Sequence, residues 1–165
     1  MRALMSRSIP AALIGASLAV AIPASARANV ITDWDEKAVA VVMPPGPAGV
    51  TPVVYQAQRV MGMVHAAMFD AVNSIERRYQ PYLVQLPADP TTSKEVAAAA
   101  AAALVLATID QKTADEMKRA LASYLASIPD GAAKSDGVKL GEAVAARVLE
   151  ARVTTAPMCP MTTGR

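Results

Sequence analysis

A single cysteine, Cys159, sits near the end of the 165-residue chain. No disulfide can form within one molecule, so the fold must be held by packing. Histidine is equally scarce, with His65 alone, which excludes a metal centre built on several imidazoles. Aromatic residues make up only 4% of the chain, although 53% is apolar. Much of that apolar content is alanine, which buries little area per residue and favours helix. Close-packed helices around one core are the expected outcome. Also missing are a Gly-rich phosphate loop, a Gly-x-Ser-x-Gly elbow, a Cys-x-x-Cys pair and a His-Glu-x-x-His helix.

Charge of one sign is lacking too. The formal net charge is +2, but Arg2, Arg7 and Arg27 precede every acidic residue. Without them the chain carries one more acidic than basic group. No basic cluster larger than an adjacent pair such as Arg77-Arg78 appears, so a nucleic-acid partner is not expected.

What is present begins with a leader. Residues 1 to 28 have the basic Arg2 and Arg7, an apolar run from Ala11 to Ile22, then Pro23 and small residues. This is the pattern of a signal peptide, cleaved best after Ala26-Arg27-Ala28, with Ala24-Ser25-Ala26 as a competitor. The apolar run is too short for a spanning helix, which needs roughly 20 residues, so no stable membrane anchor is expected after cleavage. Export to the periplasm or the extracellular space follows, by the general secretory route since the leader lacks an Arg-Arg pair.

Residues 29 to 152 read as one all-helical domain, an antiparallel bundle of four to five helices. Acidic residues in Thr32-Asp33-Trp34-Asp35-Glu36 precede the apolar stretch Ala38 to Met43 and suit a short helix, which Pro44-Pro45-Gly46-Pro47 ends. Thr51 as cap and Pro52 at the first helical position announce a long helix to Glu76, apolar on several faces and expected at the centre of the domain. Arg77, Arg78, Tyr79 and Pro81 close it and open an extended connection to Pro90. Thr92-x-x-Glu95 has the form of a capping box before an alanine-rich helix to about Ala107. After a break at Thr108 to Asp110, Ala114 to Leu125 has amphipathic spacing. Pro129-Asp130-Gly131 turns into a last helix from Ala132 to Arg152, where Gly137 and Gly141 let a neighbour approach closely. From Val153 to Arg165 periodicity ends, and this tail is expected to be disordered.

Few residues here suggest chemistry. His65 and Asp70 point about 140° apart on a helix, unlike ligand pairs at i,i+3 or i,i+4. A core histidine bonded to a neighbouring helix is the plainer reading. Arg59 and Asp70 lie on the same apolar helix and each is expected to find a polar partner. Asn73 follows them, and Glu76, Arg77 and Arg78 read as a solvated helix end. The methionines of Met61 to Met68 fall at core spacing. No catalytic, cofactor-binding or metal-binding residue is assigned from these residues.

One stretch carries a family signal. Arg59 through Asn73, followed by Arg78-Tyr79-Gln80-Pro81-Tyr82, resembles the N-terminal region of bacterial vanadium-dependent haloperoxidase-like proteins of the type 2 phosphatidic-acid phosphatase (PAP2) superfamily. Asn29-Val30-Ile31-Thr32-Asp33-Trp34-Asp35 agrees. So does Ile128-Pro129-Asp130-Gly131 leading to Asp136 through Ala146. The resemblance covers residues 29 to 152 and implies an all-helical fold that binds vanadate or phosphate through residues in the later part of a longer chain. Its three motifs are a lysine followed at a distance by Arg-Pro, a Pro-Ser-Gly-His, and a Ser-Arg followed by a histidine. This chain has no Arg-Pro and no Pro-Ser-Gly-His, and its one Ser-Arg, Ser6-Arg7, is in the leader. Oxyanion chemistry needs several cationic donors converging on one site. The chain is therefore expected to be an incomplete half of the larger fold, inert alone and without a cofactor of its own. Val153 to Arg165 then reads as a non-native tail left by a frameshift or premature stop. Such a half is expected to self-associate through an exposed apolar face. An independent exported binding or interaction module is the alternative.

Overall fold

The computed structural model describes residues 29–44 and 54–155, and side chains for 29–44 and 56–152. Within them lie five helices and no strand: α1 (Val30–Val42), α2 (Val54–Glu76), α3 (Lys94–Leu106), α4 (Gln111–Ala126) and α5 (Ala132–Thr155). The leader, the Thr51-Pro52 helix start and Cys159 fall outside the described residues.

Local chemistry sets the helix starts. Asn29 caps α1, its side-chain oxygen accepting from the amides of Ile31 and Thr32 at 2.8 and 3.2 Å. Asp33 lies in its first turn, as acidic residues at its start were expected to, and Asp35 and Glu36 follow within the helix. Ser93, one residue beyond the expected Thr92, caps α3 by accepting from Val96 N. Thr92 is buried, which leaves the capping role to its neighbour. Asp110 caps α4 through Thr113 N at 2.8 Å. The end of α2 turns through Arg77 at φ 52°, its amide donating to Asn73 O at 2.7 Å, a left-handed stop made without glycine.

The centre of the bundle is α3, not the longer α2 expected there. α3 packs against α1, α2, α4 and α5, and Val96 through Ala103, Val105 and Leu106 are all buried. Its alanine surface is the reason: short side chains let neighbours approach from every direction, and no face needs to meet water. α2 buries the apolar Val64, Ala67, Met68, Ala71 and Ile75 together with the polar Asp70, Asn73 and Ser74, and exposes a narrow strip through Gly62, His65 and Phe69.

α5 meets α3 through its two glycines. A methyl group at Gly137 would lie 2.9 Å from Ser93 O and from Val96 Cβ, and one at Gly141 would lie 2.8 Å from Ala100 Cβ and 2.9 Å from Ala101 N. These distances are too short for any side chain, so the backbones touch there. Leu140, Val144, Ala145 and Val148 complete the buried stripe of α5. The helix continues to Thr155, past Val153 where periodicity ends, because backbone hydrogen bonding carries on without an apolar pattern. α1 closes one side by burying Trp34 and Ala38.

Candidate functional site

Arg59 to Tyr82, the stretch with the family resemblance, builds a clamp. Asp70, Asn73 and Ser74 are buried on one face of α2, at i, i+3 and i+4, and turn toward the connection between α2 and α3. Asp70 Oδ1 accepts from Tyr82 N at 2.7 Å, and its Oδ2 accepts from Leu83 N and Val84 N at 2.8 and 2.9 Å. Asn73 mimics a strand partner, accepting from Tyr79 N at 3.0 Å and donating to Tyr79 O at 2.8 Å. Ser74 Oγ accepts from Leu86 N at 3.0 Å. An irregular segment has no ladder for its amides, and these side chains supply the missing acceptors. Asp70 has the polar partners expected of it, and they are backbone amides rather than a cation.

His65 is not a core residue. Its Nε2 sits 2.9 Å from Asp35 Oδ1 on α1, so the neighbouring-helix bond is present, but the two side chains are 48% and 41% exposed. Beside the pair lies a shallow cleft of about 310 Å3 lined by Gly62, His65, Ala66, Phe69 and Tyr82. It contains no serine, cysteine or threonine for a nucleophile and no cation to hold an oxyanion. An imidazole paired to a carboxylate is half of a catalytic arrangement, and nothing converges to complete it. Among the described residues no group of three or more histidine, cysteine, aspartate or glutamate side chains is placed to hold a metal ion.

Next to this cleft the surface is aromatic. Phe69 and Tyr79 have ring centroids 6.2 Å apart, Arg78 lies over the Tyr79 ring at 5.9 Å, and Tyr82 and Leu83 follow on the connection. All five are exposed. The helix end at Glu76, Arg77 and Arg78 is solvated as expected, with Glu76 bridging to Lys94 at 2.7 Å. That bond and the Lys94 charge lower the Glu76 pKa, and the same bond with the Glu76 charge raises that of Lys94.

Sequence reasoning missed a second cleft, of about 560 Å3, between the start of α2 and the end of α5. Gln56, Arg59, Val60 and Met63 line it from α2, Leu149 and Arg152 from α5, and Thr108 and Ile109 from the turn after α3. Arg59 is exposed here and pairs with no acid among the described residues, contrary to the polar partner expected for it. Arg152 Nε is buried with no acceptor among the described residues. The two arginines lie far apart in the sequence, in α2 and α5, and no local motif connects them.

No family model, no curated protein and no solved structure matches the chain. No helix among the described residues is long and apolar enough to cross a membrane.

Proposed function

We propose that this chain is an exported helical scaffold of the vanadium-haloperoxidase-like branch of the PAP2 superfamily, without catalytic activity of its own. The observation that carries this reading is how the family-like stretch is used. Asp70, Asn73 and Ser74 hold a connection in place, while Phe69, Tyr79, Tyr82 and Leu83 remain exposed beside them. Exposed aromatic groups on a chain with so few are a surface suited to further helices. The absence of the anion-binding motifs and the isolation of the His65–Asp35 pair both argue against turnover.

The test is an assay of the purified chain with p-nitrophenyl phosphate, and with bromide, peroxide and vanadate, beside size-exclusion chromatography. The expected result is no turnover, together with self-association that Tyr82→Ser and Leu83→Ser weaken. Turnover that disappears in His65→Ala would overturn the reading. The arginine-lined cleft favours a second reading, an independent exported binding module, which a monodisperse chain with ligand affinity would support.

A further inference from the structure

We propose that the cleft between the start of α2 and the end of α5 binds an amphipathic organic anion, a carboxylate head held by Arg59 and Arg152 with an aliphatic body beneath it. The proposal is independent of the scaffold reading, since an inert chain can still bind.

The head group follows from the donors. Polar groups lining the cleft are Gln56, Arg59, Thr108 and Arg152, with no carboxylate among them. Thr108 Oγ1 already donates to Val105 O at 2.7 Å, leaving the two guanidinium groups as the cationic donors. Neither forms an ion pair with a described acid, whereas Lys94, Lys134, Lys139 and Arg147 all do. A guanidinium is charged at every accessible pH and presents several N–H groups in a planar fork that matches a carboxylate. The buried Nε–H of Arg152 lacks an acceptor among the described residues, and a buried donor left in that state is unfavourable by itself. An oxyanion head between the two arginines supplies that acceptor and neutralises both charges.

The body follows from the rest of the lining. Val60, Met63, Ile109 and Leu149 are the other walls. A fully hydrated inorganic anion gains nothing from four aliphatic side chains, whereas an alkyl chain loses contact with water against them. Methionine, unbranched and flexible, adapts to chains of different length. The burial agrees: Arg59 is exposed while the Arg152 Nε is buried, so one arginine meets the head from the solvent side and the other from within the fold.

Calorimetric titration of the full chain with decanoate, decanol, acetate and inorganic phosphate separates head from body. Decanoate is expected to bind at least tenfold more tightly than any of the other three. Arg59→Gln and Arg152→Gln are each expected to weaken decanoate binding at least tenfold, and Arg152→Lys less than Arg152→Gln. Arg119→Gln, on the exposed side of α4, should leave binding unchanged. Circular dichroism melts of the same proteins report folding, and the exposed Arg59 makes its variant decisive even if Arg152→Gln unfolds. Equal affinity for decanol or for phosphate would overturn the proposal, as would decanoate binding that Arg59→Gln leaves intact.

Discussion

Asp70 and His65 occupy the same helix and both bond to oxygen or nitrogen partners, yet their environments separate them. Asp70 is fully buried and accepts three backbone amides. Those amides have no other acceptor in an irregular segment, so Asp70→Ala is expected to destabilise the protein by about 3 kcal/mol, the cost of leaving partly buried donors unpaired. His65 and Asp35 are roughly half exposed. Solvent screens such a pair, and His65→Ala is expected to change stability by less than about 1 kcal/mol. Urea midpoints of the two variants check both values. If the two substitutions had equal effects, the clamp would not be what orders the connection. A polar partner for Asp70 was legible from its place in an apolar helix, because a buried charge must be satisfied. Its identity was not, since backbone amides thirteen residues onward leave no mark in the side-chain pattern.

Helix against helix, the contact between α3 and α5 is the closest, and glycine makes it. Gly141→Ala places a methyl group against Ala100 Cβ and Ala101 N, and the overpacking is expected to cost about 1–3 kcal/mol. Gly62 in α2 offers the contrast, with nothing within 4 Å of the position a Cβ would take. Gly62→Ala is expected to stabilise the protein by about 0.5–1 kcal/mol through helix propensity. Thermal melts that moved in the same direction for both would show that α5 yields where the backbones meet. The close approach at Gly137 and Gly141 was readable from their spacing, whereas the choice of α3 as the inner helix was not. Length and mixed apolar faces pointed to α2, but the alanines of α3 admit neighbours on all sides.

At the scale of the whole molecule, acid is expected to loosen the fold through its exposed carboxylates. The hydrogen bond from Lys94 lowers the pKa of Glu76, and that from Lys134 lowers that of Asp130. Amide donation from Thr113 lowers that of Asp110, and the Thr91 hydroxyl lowers that of Asp89. A folded-state value below the unfolded one stabilises at neutral pH and is lost as pH falls through the folded value. The urea midpoint should therefore drop on acidification below about pH 4, the ordinary range of free carboxylates. A midpoint constant down to about pH 2.5 would contradict this. Sequence by itself determined that the described residues are all-helical, because alanine content, capping residues and proline punctuation act locally. It also determined where most helices start and stop to within a few residues. Only tertiary structure decided that α3 lies inside, that His65 faces solvent beside Asp35, and that Arg59 and Arg152 share one cleft. Those outcomes depend on which faces pack together. Packing sums weak contacts between residues far apart in the chain, and no short stretch of sequence contains that sum.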